Sequence, residues 1–67
     1  MNGKIVKVKD TPNGGYGFIL GDDCNRYFFH NSKCWIEPHE LQRVTFDPII
    51  GRKGLEAINV ESEVKDV

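Results

Sequence analysis

Two short aromatic runs hold the residues best placed for chemistry in this chain: Gly15-Tyr16-Gly17-Phe18-Ile19 and Tyr27-Phe28-Phe29-His30. Side chains of an extended strand alternate between its two faces. Tyr16 therefore shares a face with Phe18, and Phe28 shares one with His30. Gly17 and Ile19, like Tyr27 and Phe29, fall on the opposite faces and suit a core. Three rings and an imidazole on one sheet surface leave apolar area in water, which is unfavourable without a compensating ligand. Unpaired nucleobases are such a ligand, because their π faces stack on aromatic rings and on a neutral imidazole. The competing roles are burial for Phe18 and Phe28, cross-strand packing for Tyr16, and a strand-end structural role for His30. Alternation argues against burial, since Ile19, Tyr27 and Phe29 already supply the inward set.

The elements that would hold these runs are all strands. Lys4 to Lys9 is β-branched and roughly alternating, and it predicts a first strand ended by the turn formers Asp10-Thr11-Pro12-Asn13-Gly14-Gly15. Tyr16–Leu20 predicts a second strand, closed by Gly21-Asp22-Asp23, and Arg26–His30 a third. Asn31–Arg43 reads as a loop with a turn of helix near Ser32–Cys34 or Glu40–Arg43. Val44–Asp47 alternates as a fourth strand, with Pro48 capping it or lying at an edge. After the turn Gly51-Arg52-Lys53-Gly54, Leu55–Val60 gives a fifth, and charged residues 61–67 are expected to fray. Five short strands with glycine-rich turns predict an all-β fold, a small antiparallel barrel whose closure hides its sheet edges.

Sixty-seven residues make one small domain, residues 1–67 with a core over 3–60, and leave no room for a cleft between lobes. Met1-Asn2-Gly3-Lys4 lacks the apolar run of a signal peptide, and no stretch reaches membrane-spanning length, so a cytoplasmic protein is expected. Cys24 and Cys34 are too few and too far apart for a paired Cys-x-x-Cys zinc module, even counting His30 and His39. A Cys24–Cys34 disulfide is geometrically possible but disfavoured in a reducing compartment, leaving two free thiols with Cys34 partly buried. No metal or other cofactor is expected. There is no phosphate-binding loop and no Ser or Cys with a base at a recognisable spacing, so no enzymatic motif appears; Asp22-Asp23 reads as turn chemistry.

The net charge of −1 does not advertise a nucleic-acid binder. It is unevenly spread, with five basic and three acidic residues in 1–33 against four basic and seven acidic in 34–67. The half carrying the aromatic runs is the more positive, which favours weak, stacking-led binding over a strong phosphate grip. Among the cations, Lys7 projects between the rings as a phosphate contact, while Arg52 and Lys53 could flank a strand from their turn.

These motifs together resemble the cold-shock domain. Gly15-Tyr16-Gly17-Phe18-Ile19 is similar to that family's first ribonucleoprotein motif, Lys-Gly-Phe-Gly-Phe-Ile. Tyr27-Phe28-Phe29-His30 is similar to the second, Val-Phe-Val-His. Gly3-Lys4-Ile5-Val6, Ser32, Gln42-Arg43-Val44-Thr45-Phe46 and Gly51-Arg52-Lys53-Gly54 with Ala57, Asn59 and Val60 extend the likeness over residues 3–60. The resemblance implies an OB-type barrel that binds single-stranded RNA or DNA without a cofactor, stacks bases on Tyr16, Phe18, Phe28 and His30, and acts as a cold-shock or RNA-chaperone-like protein. A monomer is expected, with weak dimerisation as the other possibility.

This chain departs from the pattern in four places. Lys7 stands where the family usually has a stacking Trp, and Asn31 where a Phe commonly follows the motif histidine. The turn before Gly15 is about two residues longer, and the third-to-fourth strand connection is shorter. At roughly 1–3 kcal/mol per stacked base, two absent rings imply weaker binding than the family's. Trp35 is open between two roles: a core anchor within Cys34-Trp35-Ile36, or a further stacking ring in the connection that borders the family's binding face. The competing function is a protein-interaction module that kept the barrel and lost nucleic-acid binding; an S1-like barrel is a second alternative.

Overall fold

In the computed structural model, which describes residues 1–52 and 54–63, five strands close a barrel in the order β1-β2-β3-β5-β4. They are β1 (Asn2–Thr11), β2 (Gly14–Gly21), β3 (Arg26–His30), β4 (Arg43–Gly51) and β5 (Gly54–Ser62), with a 3-10 turn at Asn31–Lys33. The protein is thus all-β, as the alternation predicts, although most strands outrun their predicted ends. β1 continues through Asp10 and Thr11, and β4 runs through Pro48 to Gly51. Glu61 and Ser62, expected in a frayed tail, instead extend β5 opposite Thr45 and Val44. The remainder of that tail, residues 64–67, and Lys53 of the last turn lie outside the described residues.

One seam of the barrel is parallel, a correction to the all-antiparallel expectation. β1 pairs antiparallel with β2 and β4, β2 with β3, and β4 with β5, whereas β3 meets β5 in parallel through Phe28↔Glu56. The reason is parity. Strand direction cannot alternate all the way round a ring with an odd number of members, so five strands must leave one like-directed pair.

The core is the inward set of the alternation: Ile5, Ile19, Tyr27, Phe29, Val44, Phe46, Ala57 and Val60 are all buried. Val8, Cys34 and Ile36 pack partly buried against it. Gly17 is required by this packing. A Cβ there would lie 2.3 Å from the Lys7 carbonyl oxygen and 2.6 Å from Phe29 Cζ, so the Phe29 ring passes under β2 where a side chain would stand.

Two irregularities curve the sheet. In β1 the register steps from Ile5↔Ile19 to Lys7↔Phe18, leaving Val6 as an extra residue. In β5 the step from Thr45↔Glu61 to Asp47↔Ile58 leaves one extra residue on β5, where Asn59 has φ of 52°. Asparagine tolerates this left-handed conformation better than most residues. Its side chain also ties the region together, donating to Asp47 Oδ2 at 2.8 Å and accepting from Trp35 Nε1 at 3.2 Å.

Candidate nucleic-acid interface

The outward positions of β2 and β3 meet in direct cross-strand pairs: Tyr16 with His30, Phe18 with Phe28, and Leu20 with Arg26. The rings therefore form one cluster. Tyr16 and Phe28 lie 5.7 Å apart between centroids, Phe18 and Phe28 5.8 Å, and Tyr16 and Phe18 6.4 Å, in tilted or edge-on arrangements. Such geometries are favourable for ring quadrupoles and leave part of each face open. All three rings are half-buried, and none belongs to the buried core, which the inward alternates fill.

Tyr16, Phe18, Phe28 and His30, together with Arg26 and Leu55, line an open depression of about 660 Å³. That volume is within the range of small-ligand sites. The Arg26 guanidinium stands over the Phe18 ring, 5.7 Å from its centroid, a cation–π arrangement that places a charge at one end of the cluster.

Charge is distributed across the face by strand. On β1, Lys7 pairs with Phe18 and Lys9 with Tyr16, both exposed. On the far side, Glu56 of β5 pairs with Phe28. A row running across the sheet thus reads Lys7, Phe18, Phe28, Glu56, basic at one end and acidic at the other. Lys7 reaches this face only through the bulge at Val6. Strict alternation from the buried Ile5 would have turned it inward.

His30 is held at the strand end by the 3-10 turn it caps. Its Nδ1 accepts the Ser32 backbone N–H at 3.1 Å and lies 2.9 Å from Ser32 Oγ. Asn31, next in sequence, goes to the other side of the sheet. A Cβ on the buried Gly15 would lie 2.6 Å from Asn31 Nδ2, so this side chain fills the space beneath Gly15, away from the rings.

Trp35 is not a core anchor: it is 63% exposed. Its backbone N–H donates to the Val60 carbonyl at 2.8 Å, and the adjacent Cys34 bridges Val60 in parallel, prolonging the β3–β5 seam past His30. The ring does not line the depression. Both cysteines are free thiols, with Cys24 exposed and Cys34 half-buried. Burial pushes the Cys34 thiol above its ordinary pKa.

The shifted carboxylates lie elsewhere, outside the depression's lining. Asp23 accepts from the Tyr27 hydroxyl at 2.5 Å and from the Asn25 backbone at 3.1 Å, the turn role expected of Asp22-Asp23. The Tyr27 bond lowers the Asp23 pKa and raises that of Tyr27. Arg43 grips Asp22 with two hydrogen bonds of 2.8 and 2.9 Å and reaches Glu63 at 3.0 Å, holding both carboxyls below their ordinary values. This cluster ties the β2–β3 turn to β4 and the end of β5.

Of the residues singled out from sequence, Tyr16, Phe18, Phe28 and His30 come together with Lys7 at their flank, whereas Trp35 stands apart. Arg26 and Leu55 also line the depression and Lys9 and Glu56 flank it by register, four residues that the aromatic motifs do not single out. Arg26 carried a signal, being two residues from Phe28 on the same strand. Lys9 was concealed by the bulge, and nothing in the sequence places Leu55 beside β3. Compared with known proteins, the chain matches no protein-family model and no curated protein.

Proposed function

We propose that the outer face of β1, β2 and β3 binds single-stranded RNA or DNA by stacking unpaired bases on Tyr16, Phe18 and Phe28, with His30 at the edge of the cluster. The observation that carries this is the convergence of three mutually contacting rings on an open depression flanked by Lys7, Lys9 and Arg26. Apolar rings supply sequence-tolerant affinity of roughly 1–3 kcal/mol per base, and the flanking cations neutralise phosphates. Trp35, farther along the β3–β5 seam, offers one more exposed ring. The likeness of the two aromatic motifs to those of cold-shock domains supports the same reading. A protein that holds strands unpaired disfavours hairpins by mass action, so an RNA-chaperone role follows from binding alone.

One observation favours a protein-binding surface instead. The β4–β5 hairpin exposes Ile49, Ile50 and Leu55, with Ile50 85% exposed. Titration of a dye-labelled pyrimidine hexamer, followed by anisotropy at several salt concentrations, separates the two. Stacking on the platform predicts saturable, salt-weakened binding that falls at least about 10-fold for Phe18→Ala with Phe28→Ala. Circular dichroism should show the double variant folded, because neither ring belongs to the buried core. Unchanged affinity in a folded double variant rules out the platform.

A further inference from the structure

We infer that Ser32 fixes His30 as the Nε2–H tautomer, so that the free edge of the imidazole donates a hydrogen bond to a carbonyl oxygen of a base stacked beside it. This inference rests on the nucleic-acid reading of the platform and adds a specificity-determining contact and its positioning residue.

The tautomer follows from donor chemistry. The Ser32 backbone N–H lies 3.1 Å from His30 Nδ1, and a backbone N–H can only donate. Nδ1 is therefore the unprotonated nitrogen, and Ser32 Oγ, 2.9 Å away, donates its hydroxyl hydrogen to the same atom. A neutral imidazole carries one ring proton, which then resides on Nε2. The lock is local: His30 caps the 3-10 turn Asn31–Lys33 that contains Ser32.

The free edge is also open. Among the described residues Nε2 has no hydrogen-bond partner. Gly14 stands beside this edge without a side chain to cover it; a Cβ there would come within 3.6 Å of Cε1 and 3.9 Å of Nε2. The imidazole is exposed, lines the depression and pairs across the ladder with Tyr16. A base resting on Tyr16 thus presents its edge to a ring that can donate and cannot accept there. Thymine and uracil, with two carbonyl oxygens, fit that requirement; a flat base of equal shape lacking acceptors does not.

Two measurements test this. Long-range ¹H–¹⁵N spectra of the free protein should show a pyridine-type Nδ1 and a pyrrole-type Nε2 for His30. Ser32→Ala, which loses the hydroxyl but keeps the backbone N–H, should retain the Nε2–H form with a smaller excess, whereas Ser32→Pro, which removes that N–H, should move the signals toward a mixture of tautomers. The reverse tautomer in the wild type overturns the inference, and an unchanged tautomer ratio in a folded Ser32→Pro variant removes Ser32 from it.

Binding is then compared for a thymidine hexamer and one built from difluorotoluene, which keeps the shape of thymine but lacks its carbonyl acceptors. The expected preference for thymine, relative to the same ratio in His30→Phe, is about 5-fold. Equal ratios in the two proteins, with binding retained, overturn the donor role and leave the platform standing. Failure of the wild type to bind either hexamer overturns the platform and this contact together.

Discussion

Lys7 of β1 and Phe18 of β2 are direct cross-strand partners, and Phe18 is in turn the partner of Phe28. A cation and two aromatic rings therefore lie in one row across three strands. The row exists because Val6 is an extra residue in β1, which turns the following lysines onto the ring face. It ends in Glu56, so a strand laid on the rings meets positive charge on the β1 side and negative charge on the β5 side.

Removing the β1 cations should weaken binding evenly across sequences. Lys7→Ala and Lys9→Ala are each expected to lower affinity and to flatten the plot of log affinity against log salt by about 0.7. Titrations of a pyrimidine and a purine hexamer at four salt concentrations check both expectations. A change confined to one base type would point to base-edge contact instead of phosphate neutralisation.

At the opposite end of the row the sign reverses. Glu56→Gln should tighten binding by about 3-fold at low salt, and the gain should shrink as salt screens the removed charge.

The face was legible in the sequence wherever a two-residue period sufficed. Tyr16, Phe18, Phe28 and His30 come together because alternation sets their side and two adjacent strands set their neighbours. The bulge at Val6 breaks that period without a glycine or proline to announce it, so alternation alone turns Lys7 and Lys9 inward, whereas the register sets them opposite Phe18 and Tyr16. Trp35 illustrates a different limit: its exposure is set by the Cys34↔Val60 bridge and the bond to Asn59, both contacts distant in sequence. Asn31 stands where the family resemblance expects a further ring, and its side chain lies beneath Gly15, away from the rings.

Gly17→Ala tests how the platform is supported. The new methyl would collide with the Lys7 carbonyl and with Phe29, neither of which can withdraw without moving β1 or the core. Destabilisation of about 3 kcal/mol is expected, read as a lower urea midpoint at unchanged slope.

Stability should decline in acid. Asp22, Asp23 and Glu63 have pKa values lowered by their partners Arg43 and Tyr27. Each contributes stability that is complete above its unfolded pKa and is lost as pH falls through its folded value. The urea midpoint should therefore drop as pH goes from about 5 towards 2, and Asp23→Asn should make that drop shallower. Tyr27, whose pKa is raised, acts in the opposite sense: its contribution fades as pH rises beyond the ordinary tyrosine value of 10.0.

The most direct measurement is a titration of the isotope-labelled protein with a short pyrimidine strand, following side-chain signals by NMR. Stacked bases shift nearby ring protons through their ring currents. The account predicts that Tyr16, Phe18, Phe28 and His30 move most and saturate together, while the buried Phe29 and Phe46 stay nearly still. Shifts confined to Ile49 and Ile50, or no shifts at millimolar strand, would contradict it.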